Sequence, residues 1–226
     1  MTARVQVHRR AAGGAAAVGY HETRQRLLDV AVRLFSTYGF KRVTVREICR
    51  EAGANVAAIN YHFGDKLGLY TEVVKTAIGA IRGTSELSMQ AGEGGTAEER
   101  LRAFIRVFLR RIAGTGRDSW IHKLMAREMA DPTPALDLVV EQAIRPRLMY
   151  VGGIVAELMG CAPADPRVAM VVASIQGQCL LYSPNAVATR LGWTTPGTSA
   201  ELDAIANHIA EFSLAGLRAV ARARQA

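Results

Sequence analysis

Residues 44–66, TVREICREAGANVAAINYHFGDK, constrain the fold more than any other stretch, because they spell out two short helices with a start and a stop for each. Thr44 followed three residues later by Glu47 is a capping box. The hydroxyl accepts from a backbone N–H left free at the helix start, and the carboxylate reaches back to the cap's own N–H. Val45, Ile48, Cys49 and Ala52 then recur at helical spacing as one inner face. Gly53 supplies the left-handed residue on which helices commonly end. Asn55 is a second cap, opening a helix over Val56–Phe63 that Gly64-Asp65 closes. Two helices joined by a glycine-containing turn make a helix-turn-helix. In that unit the second helix enters a DNA major groove while the first braces it.

The faces of the second helix divide accordingly. Ile59 and Phe63, four apart, point to the head's interior. The opposite face centres on Ala57 and Tyr61, with Ala58 and Asn60 on its flanks. The alanines permit close approach to a groove. Tyr61 carries a ring for a thymine methyl and a hydroxyl for a phosphate, and Asn60 is able to bond a base edge or a phosphate. His62 and Lys66 sit at the carboxyl end, at a position for phosphate contacts.

The rest of the chain is also helical in period, with little strand-like alternation. A first helix is expected from Thr23 to Tyr38, stopped by Gly39, and a fourth from Lys66 to about Ile81. Residues 83–96 are rich in glycine and small polar residues and predict a flexible junction. Further helices are expected at about Ala97–Ala113, Asp118–Ala130, Pro134–Met159, Pro166–Tyr182 and Ala200–Ala223. The fold class is therefore all-α, with a helix-turn-helix head and a helical body. The division is a disordered arm over residues 1–20, a DNA-binding domain over 21–66, and a ligand-sensing and dimerisation domain over 67–226. Arg9 and Arg10 in the arm suit a minor groove, although a basic tail is more commonly just solvated.

Charge is unevenly placed. The net charge is +8, and residues 1–75 hold 12 Lys or Arg against 6 Asp or Glu. A basic head on a nearly neutral body points to an anionic partner, nucleic acid or a membrane surface. The head lacks the Lys-rich amphipathic helix with large apolar anchors that a membrane surface requires. No run is apolar enough to span a bilayer; Val168–Leu181 is broken by Ser174, Gln176 and Gln178. The opening residues lack the compact apolar run of a secretory signal, so a cytoplasmic location is expected. Three widely spaced cysteines, Cys49, Cys161 and Cys179, suggest neither a disulfide framework nor a zinc site. His122 with Glu128, or His208 with Glu211, falls short of a metal set, and no phosphate-binding loop or nucleophilic triad is present. No cofactor, metal or catalytic residue is expected. An all-α carrier or enzyme with an incidental basic head is the competing reading, and specific DNA binding separates the two.

Over residues 23–70 the chain resembles the TetR family of transcriptional regulators. The likeness rests on Phe35-Ser36-Thr37-Tyr38-Gly39-Phe40, the Thr44 cap, Ala52-Gly53, Tyr61-His62-Phe63 and Lys66. It implies that Thr44 touches a phosphate and Arg46 reaches toward a base. It also places Ala57, Ala58 and Tyr61 in the groove, with His62 and Lys66 on phosphates, and Asn55 is counted with them as a DNA-binding residue. Many members carry tyrosine where this chain has Asn60, a departure that opens the position to base readout. The run Arg127–Pro134, REMADPTP, together with AAINYHFGDKLGLY, is similar to a CecR-type subgroup. That subgroup implies a sensor of small toxic or antibiotic-like compounds.

The resemblance further implies a homodimer on a double-stranded pseudo-palindromic operator, paired through the last two long helices. Ala169, Val172, Ala173, Leu202, Ile205, Ile209, Phe212 and Leu217 supply their apolar faces. A small-molecule effector would occupy a cavity in the body, which combines apolar walls with a few polar groups. The residues suited to line it are Phe104, Phe108, Trp120, Met125, Met129, Tyr150, Gln176 and Cys179.

Overall fold

A computed structural model describes residues 7–113, 119–184, 186–192 and 196–222, the side chains of 7–19, 84, 88, 91, 186 and 188 apart. Every regular element among them is helical: α1 (Val7–Tyr38), α2 (Val45–Ala52), α3 (Val56–Phe63), α4 (Lys66–Ala91), α5 (Ala97–Ile112), α6 (Ser119–Ala130), α7 (Leu136–Val139), a π-helical turn (Val140–Ile144), α8 (Arg145–Met159), α9 (Pro166–Leu180), α10 (Ala186–Arg190) and α11 (Ser199–Arg222). The chain divides into two compact units, residues 1–77 with 123–136, and residues 78–122 with 137–226. The boundaries fall inside α4, α6 and α7.

In the head unit α1, α2 and α3 pack on one another around Leu27, Ala31, Phe35, Ile48 and Ile59, each shut off from solvent. The short helices form where their caps place them. Thr44 Oγ1 accepts from the Glu47 N–H at 3.2 Å, and Glu47 Oε2 accepts from the Thr44 N–H at 2.8 Å. Gly53 closes α2 at φ 61°, a conformation that costs glycine nothing. In the body unit α5, α8, α9 and α11 enclose a second core that includes Leu101, Ile105, Val155, Ile175 and Leu214.

Three boundaries differ from the sequence expectation. The first helix starts at Val7, not Thr23, so residues 7–20 of the expected arm are helical, while 1–6 lie outside the described residues. This stretch is alanine-rich, and alanine sustains a helix without needing an apolar stripe. The fourth helix runs through the expected junction to Ala91, leaving only a short turn before the Thr96 cap. The single long helix expected over Pro134–Met159 is broken by the π turn. There the Arg145 N–H bonds to the Val140 carbonyl, five residues back, and Pro146 has no N–H to continue the ladder.

Candidate nucleic-acid interface and body core

The head presents α3 outward. Asn55, Ala57, Asn60 and Tyr61 are exposed, Tyr61 at 76%, while Ile59 is fully buried. Large rings are not left this open without cost, since burying an aromatic side chain is strongly favourable. Tyr61 is nonetheless held in place: the Tyr20 ring meets it edge-on at 5.7 Å and meets His62 at 4.5 Å. Ala58 is half-buried. Asn55 Oδ1 accepts from the Ala58 N–H at 2.9 Å, so this side chain caps the helix.

The other predicted DNA contacts lie around this face. Thr44 and Arg46 are exposed at the start of α2. His62 is half-buried, and its Nδ1 is closed off from solvent without a hydrogen bond. Burial, and then the nearby Arg24 guanidinium, hold its pKa below the usual imidazole value, so the ring is neutral at physiological pH. The Lys66 ammonium rests over the Phe40 ring at 4.4 Å, and burial lowers its pKa.

Two head features escaped the sequence reading. Gly68 is where α4 approaches the end of α3: a Cβ there would stand 1.9 Å from the Phe63 carbonyl oxygen. The second is the segment Lys123–Leu136, which belongs to the head unit. Glu128 is 1% exposed. One of its oxygens accepts from the Tyr70 hydroxyl at 2.6 Å, and the other accepts from the Thr133 N–H and hydroxyl, both at 2.9 Å. Burial first, then the bond to Glu128, raise the Tyr70 pKa far above the ordinary phenol value, so the phenol stays a donor. Arg127 Nε donates to the Ser36 carbonyl at 3.1 Å, its Nη2 donates to the Thr37 carbonyl, and Lys41 pairs with Asp131. The REMADPTP run is therefore a clasp on the end of α1.

In the body, Phe104 and Phe108 stack at 5.6 Å and 12°, with the Tyr150 ring 6.3 Å from Phe104. Gln176 and Cys179 are buried in the same unit, and burial pushes the Cys179 thiol up to about 12. Trp120 is half-buried on the body part of α6. Met125 and Met129 fall in the head unit, Met129 exposed. An open cleft of about 800 Å³ lies between the π turn with α8 and α9, walled by Ile144, Leu148, Gly152, Val168, Val172 and Gln176 among others.

Two further body residues were not expected. The Arg147 and Arg111 guanidiniums lie 4.8 Å and 5.0 Å from the centre of the Phe108 ring. Arg147 Nη2 donates to Gln176 Oε1 at 3.3 Å, while its Nε is enclosed without a partner, as is the Tyr150 hydroxyl. Neither arginine forms an ion pair among the described residues. Burial, and then repulsion from Arg147, bring the Arg111 pKa down to about 9; burial brings Arg147 to about 10. A cation–π contact stabilises by about 0.5–2 kcal/mol. Both side chains are half-buried.

The head geometry defines a helix-turn-helix protein. Residues 27–73 match the family of bacterial regulatory proteins, tetR family, and residues 97–217 match the C-terminal domain of the HTH-type transcriptional dual regulator CecR. The HTH-type transcriptional dual regulator CecR of Shigella flexneri is 30% identical over 183 residues, covering 76% of this chain and 82% of that protein. A TetR-family regulator from Streptomyces coelicolor has a similar fold, with TM-score 0.62 at 22% identity over 87% of this chain and 96% of the other. The regulator FadR from Bacillus subtilis, solved in complex with stearoyl-CoA, has TM-score 0.61 at 18% identity over 85% and 98%. The chain belongs to the TetR family of transcriptional regulators, with a CecR-type C-terminal domain. It is thus a DNA-binding regulator of a non-enzymatic family.

Proposed function

We propose that this protein is a ligand-responsive repressor that binds a pseudo-palindromic operator as a homodimer and is released by a small-molecule effector. The observation that carries the reading is the exposed face of α3, where Ala57, Asn60 and Tyr61 stand open beside an aromatic brace. In this reading Tyr61, Asn60 and the alanines enter the groove, Arg46 reaches a base, and Thr44, His62 and Lys66 fix the phosphates. Asn55 supports them by capping α3. Base contacts specify the site while phosphate contacts set register.

Pairing through α9 and α11 is supported by their open faces. Met170, Ala173 and Gly177 recur along one side of α9, with Leu181 just beyond its end, and Phe212, 64% exposed, lies on α11 with Ala215, Gly216 and Ala219. Exposed large apolar side chains among small ones allow two copies to approach closely. Val172, Ile209 and Leu217 instead serve the chain's own core. A two-fold pair would set two heads on successive major grooves. The sensing role is supported by the aromatic and polar cluster of the body, and by a similar fold, that of Bacillus subtilis FadR, solved with stearoyl-CoA. An effector acts only through the difference in its affinity for the DNA-competent and incompetent states.

The test is a footprint on the DNA flanking the protein's own gene, paired with a reporter driven by that DNA. Two protected half-sites about one helical turn apart, with expression rising when the gene is deleted, are the expected results. Protection with falling expression would make it an activator. No protection at that DNA or at sites selected genome-wide would overturn the reading.

A further inference from the structure

The body holds two half-buried arginines whose guanidiniums have no carboxylate partner among the described residues. Arg111 on α5 and Arg147 on α8 bring their guanidiniums to the one Phe108 ring, so two like charges share an aromatic neighbour. Elsewhere in the body, arginines on the same helices find carboxylates: Arg100 pairs with Glu157 at 2.5 Å, Arg110 with Asp203 at 2.9 Å, and Arg145 with Glu141 at 2.7 Å. Arg111 and Arg147 have none among the described residues. Arg147 has one neutral acceptor, Gln176 Oε1, and leaves Nε enclosed and unused. Three residues along the same helix the Tyr150 hydroxyl is likewise enclosed and unpartnered. His122, half-buried, adds an imidazole that burial and then Arg111 keep from protonating.

Guanidinium stays protonated at neutral pH, so this charge is not removed by titration. Buried charge is tolerated when it is paired and hydrogen-bonded. A carboxylate, sulfonate or phosphate supplies both, since its oxygens accept two parallel N–H bonds from one guanidinium. The stacked Phe104 and Phe108 rings beside the pair suit an apolar group attached to that anion. We infer that Arg111 and Arg147 form the seat for the anionic head of an amphiphilic effector, with its apolar part against Phe108 and Phe104. This rests on the body being the sensing part of the molecule, and it narrows the effector to anions: a cation of the same size would be repelled.

The experiment compares 4-phenylbutyrate with its neutral isostere 4-phenylbutanamide by calorimetric titration of the full chain without DNA, at fixed ionic strength and pH 7.5. The wild type is expected to bind the carboxylate at least tenfold tighter than the amide. Arg111→Gln and Arg147→Gln each bring that ratio close to one, while Arg145→Gln, which changes an exposed and paired arginine, leaves it unchanged. Folding does not confuse the result, because each Gln variant loses an unpaired charge and is expected to melt at or above the wild-type temperature. Equal behaviour of carboxylate and amide toward the wild type, whether both bind or neither does, overturns the proposal. So does a melting temperature that falls in both Gln variants, which would make the pair structural. Arginine-dependent binding that leaves operator affinity unchanged upholds the anion seat and counts only against the effector reading.

Discussion

The two units treat buried charge in opposite ways. In the head, Glu128 is nearly inaccessible, and all its bonding is satisfied within the chain by the Tyr70 hydroxyl and by Thr133. In the body, Arg111 and Arg147 lean on Phe108 and find no carboxylate among the described residues. The head's buried carboxylate is thus fully bonded within the chain. The body leaves two half-buried arginines without a carboxylate among the described residues, which is the basis of the anion seat proposed above. In the proposed reading the asymmetry divides the work, with the head's internal bonding fixing the DNA-reading face and the body's arginines left to respond to an effector.

The comparison is broken most forcefully at Glu128. Glu128→Ala strands the Tyr70 hydroxyl and the Thr133 N–H, and is expected to cost roughly 2–4 kcal/mol in urea unfolding. Arg147→Met in the body is expected to cost nothing or to stabilise, because it replaces an unpaired ion with an apolar chain of similar reach. Equal losses in the two variants would erase the distinction. Next comes Gly68→Ala. Its Cβ would collide with the Phe63 carbonyl, so α3 and α4 must separate, at about 1–3 kcal/mol with a matching loss of DNA binding. Thr44→Ala removes the cap of α2 and is expected to cost roughly 1 kcal/mol, again read by unfolding.

The smallest effect is a pH dependence at His62. Burial depresses its folded pKa, so the unfolded chain binds the proton more readily. Stability from this group is present above about pH 6.5 and is lost as pH falls through the unfolded value. Melting scans from pH 7.5 to 5.5 are expected to show a decline that is shallower in His62→Asn. The phosphate contact proposed for His62 would favour the protonated ring, so under that proposal operator affinity, unlike stability, rises over the same interval.

The head was legible because its signals are local. The Thr44–Glu47 box, Gly53 and Asn55 are each read within four residues, and the structure forms the corresponding caps. An equally local box at Thr96 and Glu99 starts α5 at the end of the glycine-rich stretch that predicts a junction. Gly83 was read as a breaker, yet α4 continues through it, since one glycine costs only about 1 kcal/mol in a helix. The clasp of Arg127 and Glu128 on α1 and α4 was beyond local reading, as its partners lie 58 and about 90 residues away in sequence. The arginine pair left a faint trace. Arg111 stands three residues after Phe108 and seven after Phe104, and Arg147 three before Tyr150, so both interrupt apolar faces. What the trace could not give was that the two interruptions meet on one ring.

The central claim is that α3 reads DNA through exposed side chains that add little to the fold. Fluorescence-anisotropy titration of a footprinted operator duplex tests it directly, with wild type and Tyr61→Ala compared at several salt concentrations and excess competitor. The account predicts that Tyr61→Ala loses about tenfold or more in specific affinity, with an unchanged melting temperature. Wild-type affinity in that variant, or a loss explained by unfolding, would contradict it.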